Sequence, residues 1–134
     1  MVPDLRAQRL KEIAARVLDQ FGGDLHRALA GRLGEAPKLL GQFPGIAGPG
    51  ADRILLFDGM APISAVPSNG PHVLVRIRQG RECENYGGNY REAQQIIGCS
   101  VAADVQSRSR ASLLLKQQGQ VACERAKPAC GTCP

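Results

Sequence analysis

Phe43 to Phe57 reads FPGIAGPGADRILLF. Between Pro44 and Gly50, three glycines and two prolines fall within seven residues. Such a run interrupts a helix, because glycine leaves the backbone unconstrained and proline has no N–H to give. The flanks are helical in pattern. Glu35–Phe43 sets Leu39, Leu40 and Phe43 on one side, and Ala51–Phe57 does the same with Ile54, Leu55 and Phe57. Two helices joined by a glycine hairpin are the local architecture.

Working outward, the same period governs the chain. From Asp4 to Phe21, Leu10, Ile13, Ala14, Val17, Leu18 and Phe21 recur at three- and four-residue steps, which predicts an amphipathic helix stopped by Gly22 and Gly23. Asp24 is placed to cap a short helix through Leu29. Pro62–Pro71 has loop composition, with Pro71 suited to the first turn of the next helix. His72–Arg78 contains VLVRI, which alternation alone would allow as a strand. With no partner strand in the sequence, a helix is expected. Tyr90–Ile97 and Ser107–Val121 complete the set, the latter with Leu113, Leu114 and Leu115 expected to be buried. There is no internal repeat, and the fold class is all-α.

Composition bounds the partners. The chain has 134 residues, 43% apolar and 22% charged, with 4% aromatics and no Trp. Its core must therefore be aliphatic. A net charge of +5 and a sequence pI near 9.2 suit a polyanionic partner. No stretch reaches the ~18 apolar residues of a membrane span, and the charged, amphipathic first residues lack the apolar core of a secretory signal. A cytoplasmic, reducing compartment is expected. Cys83 and Cys99 then read as small buried residues.

The hairpin can be more than a turn. Glycines at 45, 48 and 50 would bare backbone N–H groups beside a helix N-terminus, which is a donor site for phosphate. Gly45, Ile46, Ala47, Gly48, Pro49, Gly50 and Arg53 are the candidate contacts, with Arg76 and Arg78 as further basic side chains. A plain inter-helix turn is the competing reading. Scarce aromatics argue against stacking on single strands.

At the other end, Cys123, Cys130 and Cys133 stand in the spacing Cys-x6-Cys-x2-Cys. Clustered thiols point to a metal or an iron–sulfur cluster, either of which usually takes four ligands. Zinc with His72 or His26 as the fourth ligand, and an empty site, are the alternatives.

In their order along the chain, FPGIAGPGADRILLF, AVPSNGPHVLVRI and ASLLLKQQGQVACERAKPACGTCP resemble the endonuclease III family of helix-hairpin-helix DNA glycosylases. The resemblance implies an orthogonal helical bundle with a helix-hairpin-helix motif and a C-terminal cysteine-rich loop. It also implies residues 1–80 as a partial helical barrel and residues 81–134 as C-terminal helices with an incomplete cluster loop. It corresponds to the C-terminal part of the family's domain. Expected function is base-excision repair on double-stranded DNA, with Cys123, Cys130 and Cys133 as three of four [4Fe–4S] ligands and Arg125 and Lys127 on the loop that meets DNA. The family attacks the sugar with a hairpin lysine and uses an aspartate in the following segment. Here those positions are Pro49 and Pro67, which can neither attack nor ionise. Asp52, Glu82 and Glu84 are the nearest acidic side chains in sequence, and His72 stands where the family's second motif carries arginine. No catalytic residue is therefore assigned. An incomplete barrel is also expected to leave apolar faces of the Asp4–Phe21 helix open to self-association.

Overall fold

Among the described residues, seven α-helices form where the apolar period runs. The computed structural model describes residues 3–79 and 85–133. They are α1 (Pro3–Phe21), α2 (Leu25–Ala30), α3 (Ala36–Leu40), α4 (Gly48–Phe57), α5 (Gly70–Gln79), α6 (Tyr86–Ser100) and α7 (Val105–Val121), followed by a single 3-10 turn at Cys130–Thr132. The fold is all-α, with no strand among the described residues. No helix among them is long and apolar enough to cross a membrane. The expected boundary near residue 80, with Glu82, Cys83 and Glu84, lies outside the described residues. Two compact units are present, Met1–Ala51 and Asp52–Pro134, and their division falls within α4.

In the first unit α2 packs against both α1 and α3. Leu29, Ala36, Leu40 and Phe43 are buried there. Asp24 caps α2 as expected, its carboxylate accepting the Arg27 amide at 2.9 Å. α1 itself buries no residue completely. The half of its stripe formed by Ile13, Val17 and Phe21 is partly covered, and Leu10 and Leu18 remain 62% and 65% exposed.

The second unit is built on α5, which packs on α6 and α7. The strand alternative for VLVRI is excluded, since Gly70–Gln79 is helical throughout. Pro71 lies in its first turn, where a missing N–H leaves no bond unmade. Arg76 and Arg78 occupy its last turn, where cations meet the negative end of the helix dipole. Tyr90, Ala93 and Ile97, at i, i+3 and i+7 on α6, join Val66 in one buried cluster. Side chains of Asn85 and Asp104 cap α6 and α7 by accepting the amides of Gly87 and Ser107 at 2.9 and 2.7 Å.

Three burial expectations are corrected. Leu113 and Leu114 are 55% and 56% exposed, and only Leu115 is partly covered. Three successive helical residues spread over about 200° of arc, so they cannot all face one core. Likewise α4 buries Ala51, Leu55 and Leu56, whereas Ile54 and Phe57 are exposed. Cys99 is also exposed rather than buried.

Candidate nucleic-acid interface and cysteine loop

The glycine-rich connector is anchored through Phe43. Its buried ring lies 6.1 Å from that of Phe21, and the Arg16 guanidinium sits 5.8 Å above it. Arg16 also donates to the Gln42 carbonyl. The chain then turns at Gly45, whose φ of +84° is a conformation L side chains avoid, and the Ile46 amide closes the turn onto the Phe43 carbonyl at 3.2 Å.

Helix α4 begins at Gly48, three residues before the expected start. The Ala47 carbonyl accepts the amides of Gly50 and Ala51 at 2.8 and 2.9 Å. Pro49 therefore lies in a first turn that needs no N–H from it, which is why the run GPG joins the helix. The amides of Gly45, Ala47 and Gly48 have no backbone acceptor among the described residues, and all three residues are exposed. Ile46, Pro49 and Gly50 are half-buried behind them. A Cβ added at Gly45 would lie 3.7 Å from Nη1 of Arg9. α1 thus brings Arg9 and Arg16, seven residues apart on one helix face, to the connector. Sequence reading did not place them there, although their spacing carries the signal.

The other basic candidates divide. Arg53 is exposed, with its guanidinium 5.9 Å from the Phe57 ring centroid. Arg78 is exposed at the end of α5. Arg76 is directed to the cysteine loop, with Nη1 donating to the Glu124 carbonyl at 3.0 Å, Nη2 to that of Arg125 at 2.9 Å, and Nη1 reaching Cys123 Sγ at 3.7 Å. It is a staple for that loop and not the surface cation expected of it.

No ionisable group occupies the two positions where the resembled chemistry would sit. Pro67 is fully buried between Val66 and the exposed Ser68. Asp52 is engaged, because its Oδ2 accepts both the Tyr90 hydroxyl and Gln94 Nε2 at 2.9 Å. Burial first, and the Asp52 carboxylate second, push the Tyr90 phenol well above its ordinary range. His72 is 7% exposed, with Nε2 2.7 Å from the Cys123 carbonyl oxygen. That nitrogen holds backbone and is not turned to a substrate or a metal.

The cysteine loop opens at the C-terminus of α7. The Cys123 amide bonds the Gln118 carbonyl at 2.8 Å, and the Ala129 amide returns to Ala122 at 2.8 Å. Cys130 opens the 3-10 turn and Cys133 follows it, both exposed, and Arg125 and Lys127 are exposed on the loop between Cys123 and Cys130. Cys133 Sγ accepts Gln118 Nε2 at 3.2 Å. Among the described residues, no three His, Cys, Asp or Glu side chains are gathered around one point. The donor set fits an iron–sulfur cluster in kind, being three thiols of which two already receive N–H groups at sulfur, as ligating thiolates do. Among the described residues, this loop offers three of the four thiols that such a cluster usually takes.

No protein-family model matches the chain, and no curated protein matches it significantly.

Proposed function

We propose that the protein binds double-stranded DNA through a helix-hairpin-helix made of α3, the 41–47 connector and α4, as a non-catalytic relative of endonuclease III-type glycosylases. The observation that carries this reading is the set of exposed, acceptor-free amides at Gly45, Ala47 and Gly48 beside the start of α4. Adjacent amides at a helix start form a concave positive site for a phosphodiester oxygen, and no side chain at Gly45 or Gly48 stands in the way. Arg9 and Arg16 add long-range attraction from α1. Contacts of this kind hold the backbone and read no bases. An orthogonal bundle and a cytoplasmic site of action belong to the same proposal.

Catalysis is not part of it. A Schiff base needs an amine and a cationic sugar needs a carboxylate, and Pro49 and Pro67 supply neither. If a [4Fe–4S] cluster binds, Cys123, Cys130 and Cys133 would hold it, and it would stiffen the loop carrying Arg125 and Lys127. A cluster in this position supplies structure rather than chemistry.

Fluorescence anisotropy with a labelled duplex across a salt series tests the proposal. Binding should weaken steeply with salt, with a log–log slope of about −0.9 for each phosphate neutralised. An abasic duplex treated with borohydride should yield no covalent adduct. Absence of binding in dilute buffer would sink the DNA reading, and a trapped adduct would restore catalysis. Metal retained by a protein indifferent to duplex would favour a metal-binding domain instead.

A further inference from the structure

The geometry points to an oxyanion-binding cleft in the Asp52–Pro134 unit, between α6, the first turn of α7 and the loop at Pro62–Ser64, that takes a phosphate group. It is separate from the amide connector and does not depend on the DNA reading. The cleft is a shallow, open depression of about 570 Å³, suited to a small anion held at the surface. Ser64, Arg91, Gln94, Gln95 and Arg108 line it.

These residues converge for structural reasons. Arg91, Gln94 and Gln95 stand at i, i+3 and i+4 on α6, so they share one face. Arg108 enters from α7, and its Nη1 donates to the Pro62 carbonyl, which fixes the guanidinium against the loop. Arg108 Nε is buried and has no acceptor among the described residues. A buried N–H left unmet is rare and asks for a partner. Arg91 is exposed on α6.

No carboxylate lines the cleft. The neighbouring ones are committed elsewhere. Asp52 is held by Tyr90 and by one N–H of Gln94, and Asp104 accepts the Ser107 amide while lying within charge reach of Arg108. Two guanidiniums thus face one cleft with amide and hydroxyl donors and no anion on its walls. Guanidinium forks match the spacing of phosphate oxygens, and such charge-assisted bonds are the stronger class. The phosphate is either that of a nucleic-acid backbone or that of a free phosphorylated compound.

The full chain, isotopically labelled and titrated with inorganic pyrophosphate at low salt, provides the test by NMR. The Arg91 and Arg108 Nε–H signals and the Gln94 and Gln95 amides should shift saturably. Arg91→Glu, on an exposed helix face, should weaken the response at least about tenfold, equivalent to one charge-assisted bond. Arg91→Gln should give an intermediate loss and guards against misfolding by charge reversal. No saturable shift at these groups, or equal binding by Arg91→Glu, overturns the site. A duplex oligonucleotide separates the sources. If Arg91→Glu also shallows the salt dependence of duplex binding by about one, the occupant is a backbone phosphate. If duplex binding is untouched while pyrophosphate is lost, the occupant is a free phosphorylated compound. If the wild-type chain ignores duplex but binds pyrophosphate, the DNA reading fails and this site stands.

Discussion

At the residue scale, the Tyr90–Asp52 pair decides how the second unit responds to alkali. The hydroxyl donates to a carboxylate that also takes Gln94. Tyr90→Phe removes a charge-assisted bond and should cost about 1.5–3 kcal/mol, read from urea melts at neutral pH. The phenol's folded-state pKa is raised, so the folded chain holds this proton more tightly than the unfolded chain does. The corresponding stability is present in full below the unfolded value, about 10, and is lost as pH climbs above it. Melts between pH 8 and 11 should show the wild-type chain losing stability faster than Tyr90→Phe. Equal slopes would place the proton elsewhere. Asp52 stood out in the sequence as the acid beside the hairpin. What it touches did not, because Tyr90 and Gln94 lie 38 and 42 residues away and no local period connects them. The same holds for His72 and Arg76, whose partners are backbone carbonyls about fifty residues on.

At the element scale, helices were legible and their faces less so. Every expected helix is present, since three- and four-residue recurrence is a local signal. The start of α4 was misplaced because a first turn tolerates the Gly-Pro-Gly that a helix interior does not. The leucine run of α7 misled because hydrophobicity gives the number of apolar residues and not the width of the face that a core can cover. The opposite edge of α7 illustrates a contact that composition hides. A Cβ at Gly119 would lie 2.6 Å from the Asn69 carbonyl oxygen, so the helix meets the 66–70 loop there backbone to backbone. Asn69 Nδ2 seals the approach by donating to the Lys116 carbonyl at 3.0 Å. Gly119→Ala gains up to about 1 kcal/mol of helix preference, yet should destabilise the fold by about 1–3 kcal/mol through overpacking. A higher Tm for this variant would mean that the loop yields freely.

At the scale of the whole molecule, the apolar surface of α1 is the unresolved liability. Leu10 and Leu18, about 80° apart around a 19-residue helix, are exposed on one side, and Leu5 is exposed on another. Exposed apolar stripes of this kind favour association between copies. Sedimentation velocity from micromolar to hundreds of micromolar should show reversible growth in mean mass, and Leu10→Gln with Leu18→Gln should suppress it. A strict monomer over that range would mean the stripe is tolerated in water. The expected all-α class is realised among the described residues, and the predicted hairpin residues divide between the 41–47 connector and the start of α4. The basic cleft between α6 and α7 was not legible, because Ser64, Arg91 and Arg108 come from three segments that only tertiary packing unites.

The clamp from α5 to the start of the cysteine loop has a consequence for how that tail is ordered. His72 and Arg76, one turn apart, grasp three successive carbonyls at 123, 124 and 125. The stem of the loop inherits its shape from the interior of the protein and does not wait for an ion to impose one. Deuterium uptake at the Ala122 and Cys123 amides, which both bond the Gln118 carbonyl, should therefore stay slow after exhaustive chelation, while the tip around Cys130 exchanges freely, and Arg76→Ala should unfasten the stem whether or not any metal is supplied.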